Sequence, residues 1–197
     1  MSLVVKICGF RCEAQIHAAV QAGADAVGFV FAKSVRQITP AEAAEISASL
    51  PSHIRRVAVM RHPNDAEWQN VLEIFSPDVL QTDAEDFASL SIPASVEQWP
   101  VHREGRAEPN TQGTYIFEGQ KSGQGQTVDW SRAAAFAESG QMILAGGLSA
   151  DNVREATETV RPFGVDVSSA VESAPGQKDT QLISEFVSAA RAAERNL

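Results

Sequence analysis

Apolar residues fall into short runs that alternate with stretches of helical period along the whole chain. Val4-Val5-Lys6-Ile7-Cys8 reads as a strand. Alternation puts Val4, Lys6 and Cys8 on one face and Leu3, Val5 and Ile7 on the other. Gly9 breaks the strand, and an amphipathic stretch over residues 11–22 stops at Gly23, a residue suited to the turn after a helix. Ala26-Val27-Gly28-Phe29-Val30-Phe31 predicts a second strand, buried on both faces. Thr39-Pro40-Ala41-Glu42 then opens a helix, with Thr at the N-cap, Pro at N1 and Glu at N3.

The alternation continues with a strand over 55–60, a helix over 66–75, a short strand over 78–81 and a short helix over 85–90. The middle is less clearly patterned. Pro100-Val101-His102-Arg103 predicts a fifth strand, but residues 104–113 are polar, turn-rich and short for a crossover helix. Strands over 114–118, 142–145 and 164–167 follow, with helices over 130–138, 151–161 and 180–192. Asp129 and Ser149 are the N-cap candidates for the first two of these helices. Eight strands, seven of them followed by something helical, predict a small (β/α)8 TIM barrel with a degenerate crossover after strand five. An open doubly wound sheet is the alternative. No linker or internal repeat divides the chain, so residues 1–197 are expected to form a single domain.

Composition narrows the function. A formal net charge of −9 argues against nucleic acid and anionic membrane surfaces as partners. No signal peptide and no membrane-length apolar run are evident. Two cysteines, Cys8 and Cys12, make no disulfide framework, and neither they nor His17, His53, His62 and His102 have metal-ligand spacing. A cytoplasmic protein without a metal is expected. Of the histidines, only His102 is placed to reach the barrel mouth.

In such a barrel the active site lies at the C-terminal ends of the strands. Cys8 ends the first strand, Asp83 follows the fourth and Glu118 ends the sixth. Arg36 lies in the loop after the second. A lone cysteine is more often a small buried hydrophobe, but a thiol beside an ammonium at a strand end can act as a base. Lys6 lies one layer deeper and needs a buried partner, for which Asp166 on the eighth strand is the candidate. That pair would place positive charge near Cys8 and favour the thiolate. Gly146-Gly147 after strand seven and Ser168-Ser169 after strand eight suit phosphate binding, with a short helix aiming its N-terminus inward. Ser122-Gly123-Gln124-Gly125-Gln126 lacks the spacing of a dinucleotide loop and reads as flexible.

Together these residues resemble the phosphoribosylanthranilate isomerase family of tryptophan biosynthesis. The strongest matches are Lys6-Ile7-Cys8-Gly9, residues 23–31, Ala145-Gly146-Gly147-Leu148 with Asn152-Val153, and residues 164–169 with Val171-Glu172. Lys178-Asp179 matches a further pair. The resemblance implies a cofactor-free Amadori rearrangement of N-(5-phosphoribosyl)anthranilate to 1-(2-carboxyphenylamino)-1-deoxyribulose 5-phosphate. Cys8 would be the general base, Arg36 would hold the anthranilate carboxylate, and Gly146, Gly147, Ser168 and Ser169 would hold the phosphate.

The chain departs from the family pattern at three places. Glu118 stands where the general acid is usually an aspartate. Gln81-Thr82-Asp83-Ala84 replaces the usual Gln-Leu-His-Gly, which makes Asp83 a rival acid. Ala170 stands where glycine is common. Two other readings stay open: a histidine-pathway isomerase, which would want a second phosphate loop, and a barrel that only binds sugar phosphates. The expected partner is a small phosphosugar-anthranilate substrate, and the sequence does not fix an oligomeric state.

Overall fold

Eight parallel strands pair in chain order and the eighth returns to the first, closing a barrel. The structure, a computed structural model, describes residues 2–106, 108–120 and 128–195. The strands are β1 (Val4–Cys8), β2 (Ala26–Val30), β3 (Arg55–Val59), β4 (Val79–Asp83), β5 (Glu97–Arg103), β6 (Thr114–Glu118), β7 (Gln141–Leu144) and β8 (Gly164–Val167). The TIM-barrel reading holds, and the open sheet is excluded by the β1–β8 pairing, which sets Lys6 opposite Asp166.

The helices are α1 (Glu13–Ala22), α2 (Pro40–Ile46), α3 (Asp65–Phe75), α4 (Trp130–Ala137), α5 (Val153–Val160) and α6 (Thr180–Glu194). Local chemistry starts and stops several of them. Thr39 and Glu42 form a reciprocal capping box at α2, and Asn64 with Glu67 does the same at α3. Asp129 caps α4 and Asp179 caps α6, while Gly23 ends α1 in the left-handed conformation. None of the described helices is long and apolar enough to cross a membrane.

Several elements differ from the sequence expectation. After β4, residues Ala84–Ser89 form a 3-10 helix instead of an α-helix, and β4 itself runs on through Asp83. The strand β5 starts earlier than expected, at Glu97, because its N-terminal half pairs with β4. The described residues of the β5–β6 crossover contain no helix, in keeping with the degenerate crossover expected there. After β8, a single 3-10 turn (Ser169–Val171) leads into a two-stranded hairpin, β9 (Glu172–Ala174) with β10 (Gln177–Lys178). Finally, α5 starts at Val153 without a Ser149 cap. The Asn152 side chain instead accepts from the Ser149 N–H and donates to the Gly147 carbonyl, bracing the turn after β7.

Two apolar cores follow from the strand alternation. One lies between the barrel wall and the helices, and contains Val5, Ile7, Phe29, Trp68, Tyr115 and Phe186. The other fills the barrel, with Ala26, Val57, Val79, Trp99, Val101, Ile116 and Ile143. Lys6 is fully buried on the inward face of β1. An ammonium there has little hydration, and this explains its charged partner across the register.

Candidate active site

Cys8 is the last inward residue of β1, and it lines a cavity of about 270 Å³ at the C-terminal mouth of the barrel. Room for its sulfur comes from Gly28 on β2. A Cβ at that position would stand 3.0 Å from the Cys8 Sγ. One layer below, Lys6 Nζ lies 2.8 Å from Asp166 Oδ2, the ion pair expected from the sequence. Burial works against the Lys6 ammonium, but Asp166 and Cys8 more than restore it, so its pKa is above the ordinary lysine value.

The effect on Cys8 is not the one expected from Lys6 alone. Burial pushes the Cys8 thiol up; Lys6 and Lys178 pull it down, while Asp166 pushes it up again. The sum stays above the ordinary thiol value. Desolvation of a thiolate outweighs the nearby ammonium because Asp166 offsets much of its field.

Beside Cys8, Arg36 crosses from the β2–α2 loop. Its side chain passes over Gly9, where a Cβ would stand 2.6 Å from Arg36 Cδ and where φ is +93°. Only glycine suits both the conformation and the approach. Arg36 donates from Nε and Nη2 to the two carboxylate oxygens of Glu172, at 2.7 and 2.9 Å. Glu172 also accepts from Lys178 Nζ at 2.7 Å, and Lys178 donates to the Ser168 carbonyl at 2.8 Å. Ser168 Oγ in turn donates to the Cys8 carbonyl at 2.9 Å. Burial works to raise the Glu172 carboxyl, but Arg36 and Lys178 outweigh it and hold its pKa below the ordinary range. Sequence reasoning matched Glu172 and Lys178 to a motif but gave them no function. Their connection depends on the hairpin after β8, which it did not foresee.

The opposite wall carries the acids. Glu118 ends β6 beside Arg103 of β5, its register partner, and Arg103 Nη2 lies 3.0 Å from Glu118 Oε1. Arg103 Nη1 makes a short ion pair with Asp83 Oδ1, so one guanidinium spans both carboxylates. Asp83 Oδ2 lies 3.1 Å from His62 Nε2, and His62 Nδ1 lies 3.0 Å from Asp86. The buried Thr82 hydroxyl donates to Asp86 at 2.6 Å.

Arg103 was missed as a site residue, although strand alternation could have found it. Trp99 and Val101 face inward, and Arg103 continues that face to the mouth. His102, expected at the mouth, instead points outward and packs edge-on against Tyr115 with ring centroids 5.8 Å apart. Its position between two inward residues is the reason.

His62, Asp83 and Asp86 bring ligand atoms within 4.8 Å of one another. Their acceptors, however, are taken up by Arg103, by Thr82 and by the His62 backbone N–H, which donates to Asp86 at 3.0 Å. That is a hydrogen-bonded ion network in place of an open ligand set.

Gly146, Gly147, Ser168 and Ser169 line the same cavity, bringing two loops to one wall. The short helix expected behind Ser168 is one 3-10 turn, so an anion there would rely on loop N–H groups more than on a helix dipole. Gln81 Oε1 and Asp166 Oδ1 are buried in the cavity lining with no hydrogen-bond partner among the described residues. The glycine-rich stretch at 122–126 lies outside the described residues.

Comparison with known proteins gives a consistent result. Residues 5–189 match the family model for N-(5'-phosphoribosyl)anthranilate isomerase. A protein of that name from Listeria welshimeri is 35% identical over 204 residues, covering 98% of this chain and 100% of the relative. The crystal structure of phosphoribosyl anthranilate isomerase from Thermotoga maritima superposes with a TM-score of 0.84 at 30% identity, over 96% of this chain and 99% of that one. Another solved structure, of a phosphoribosyl anthranilate isomerase, is in complex with reduced 1-(o-carboxyphenylamino)-1-deoxyribulose 5-phosphate. It superposes with a TM-score of 0.80 at 29% identity, over 96% of this chain and 99% of that one.

Proposed function

The chain belongs to the phosphoribosylanthranilate isomerase family, and from that premise we propose that Cys8 and Glu118 are its general base and general acid. The chain isomerises phosphoribosylanthranilate in tryptophan biosynthesis, and its substrate is a small phosphosugar. The observation that carries the assignment of roles is the cavity itself. Cys8 and Glu118 line one space at the mouth of the barrel, together with the glycine and serine loops after β7 and β8.

The substrate's phosphate sits against Gly146, Gly147, Ser168 and Ser169, where loop N–H groups face an anion at little cost. Its anthranilate carboxylate meets Arg36, which Glu172 grips through Nε and Nη2 and so presents from its remaining edge. Sugar hydroxyls supply the donors that Gln81 Oε1 and Asp166 Oδ1 lack.

Glu118 gives its proton to the furanose ring oxygen, and the ring opens to an iminium. Cys8 removes the C2′ proton to give the enolamine, which tautomerises to the ketone. The cationic iminium favours the thiolate of Cys8 at the step that uses it, the thiol having released its own proton to solvent in the cavity. This offsets the burial that disfavours the thiolate. Glu118 is preferred to Asp83 as the acid because both Asp83 oxygens already face Arg103 and His62 deep in the wall. No cofactor takes part in this scheme. Free thiols at Cys8 and Cys12 suit a reducing compartment, and we place the protein in the cytoplasm.

The test is turnover of phosphoribosylanthranilate by the wild type, Cys8→Ala, Glu118→Gln and Asp83→Asn. Each of the first two is expected to lose at least about a hundredfold in kcat, the usual range for a general acid or base. Asp83→Asn should lose less. Full activity in Cys8→Ala or Glu118→Gln would remove that residue from its role.

A further inference from the structure

We infer that Arg103 and Asp83 are positioning residues for Glu118. Arg103 fixes where the Glu118 carboxyl sits, and Asp83 offsets the guanidinium charge so that Glu118 can still carry a proton. This rests on Glu118 being the acid.

A general acid needs two things that conflict in this wall of the barrel. Its carboxyl group must be held in one place, and it must be able to stay protonated until the ring oxygen takes the proton. Arg103 answers the first need. It stands on the neighbouring strand, in register with Glu118, and reaches Oε1 at 3.0 Å. A guanidinium at that distance, alone, would favour the carboxylate and work against the second need. Asp83 supplies the missing compensation. It sits on the third consecutive strand, is buried, and pairs with the other terminal nitrogen of the same guanidinium. The arginine field is thereby shared between two carboxylates.

Asp83 is itself firmly set. His62 stands 3.1 Å from its second oxygen and is anchored by Asp86, which is anchored by the buried Thr82 hydroxyl. His62 adopts a left-handed backbone conformation, φ +47°, which is unfavourable for a non-glycine residue. Its N–H and ring both bond to Asp86 in that conformation.

Among the described residues, the other charged groups around Glu118 do not duplicate Asp83. Glu104 follows Arg103 and donates its backbone N–H to the Glu118 carbonyl, but its carboxylate is engaged by the Asp129 N–H. From β7 and its loop the cavity receives Ala145, Gly146 and Gly147, none of them charged. Lys33, Arg36, Arg61, Cys8 and Asp166 also line the cavity, on β1, β8 and the loops after β2 and β3. Lys121 follows in the chain, outside the described residues.

The test is the pH dependence of kcat and kcat/KM in Asp83→Asn, Arg103→Lys and Asp83→Asn/Arg103→Gln, with Glu118→Gln as reference. Removing only the Asp83 charge leaves the guanidinium to Glu118. The alkaline limb of kcat should then move down by about one pH unit, with KM changed by less than about threefold. Removing the guanidinium as well should return the limb towards its wild-type position while kcat stays low. Arg103→Lys keeps the charge but loses the two-pronged grip, and kcat should fall roughly tenfold with the limb in place.

A merely structural Asp83 would lower activity equally at every pH, and an unmoved alkaline limb would overturn the inference. If Asp83→Asn does not fold, Arg103→Lys decides, since an unchanged kcat would overturn it too. An active Glu118→Gln would remove the acid assignment and this inference with it. An inactive Glu118→Gln with an unmoved limb would remove the inference alone.

Discussion

Glu172 shows how one carboxylate can organise a site without touching the reacting atoms. It holds Arg36 with two charge-assisted bonds and Lys178 with a third, tying the loop after β2 to the hairpin after β8. Glu172→Gln keeps the size and removes the charge, so Arg36 loses its fixed edge and Lys178 its buried counter-ion. The expected outcome is a KM raised roughly tenfold, with a smaller change in kcat, because such bonds contribute about 1.5–3 kcal/mol each. Steady-state kinetics on folded variant checks this. Lys6, Cys8 and Asp166 were legible from the sequence because strand alternation and short motifs place them, and Arg36 because it lies in the loop that leaves the second strand. The network of Glu172, Lys178, Arg103 and His62 was not. Its members come from separate loops and strands, and only the closed register and the unforeseen hairpin bring them together.

Among the elements, locally encoded ends were the most readable. The α2 capping box, the Asp129 cap and the Gly23 stop each depend on residues within one turn, and each formed where the chain pattern put it. Elements held by distant partners were less readable. The strand β5 began before its apparent start, and the segment after β4 tightened into a 3-10 helix. The join of α6 to the barrel is also non-local. Arg191 donates from Nε and Nη2 to the Gly23 carbonyl, from Nη1 to the Leu3 carbonyl, and pairs with Asp25 at 2.5 Å. One side chain thus fastens the last helix to the start of β1 and the β2 entry. Arg191→Met keeps much of the apolar stem and removes these bonds. It should destabilise the protein by about 2–3 kcal/mol, read as a lower denaturant midpoint with kcat nearly unchanged.

At the scale of the whole molecule, buried protons set the pH limits of stability. Burial pushes up the Cys8 thiol, and the Tyr115 phenol to about 12, while Lys6 is held above its ordinary value against burial by Asp166 and Cys8. For these groups the folded state keeps a proton that the unfolded chain gives up. Their stabilising contribution is complete below the ordinary pKa values and is lost as pH rises through the raised ones. Glu172 and Asp86 have the opposite sign, since their partners outweigh burial and hold both carboxyls low. Their contribution is present above the ordinary carboxylate range and is lost as pH falls through the lowered values. Thermal denaturation from about pH 3 to about pH 11 should therefore give a plateau near neutrality with a fall on both sides. In Cys8→Ala the alkaline fall should begin at higher pH than in the wild type. An identical alkaline edge would show that the thiol takes no part in it.

The proposed mechanism turns on one chemical event, removal of the C2′ proton by Cys8. Its most direct measurement is loss of deuterium from substrate labelled at C2′, followed in the wild type and in Cys8→Ala. The wild type should release the label as it turns over, and the variant should bind substrate but retain the label, slower by at least about a hundredfold. Release from Cys8→Ala at the wild-type rate would contradict the account.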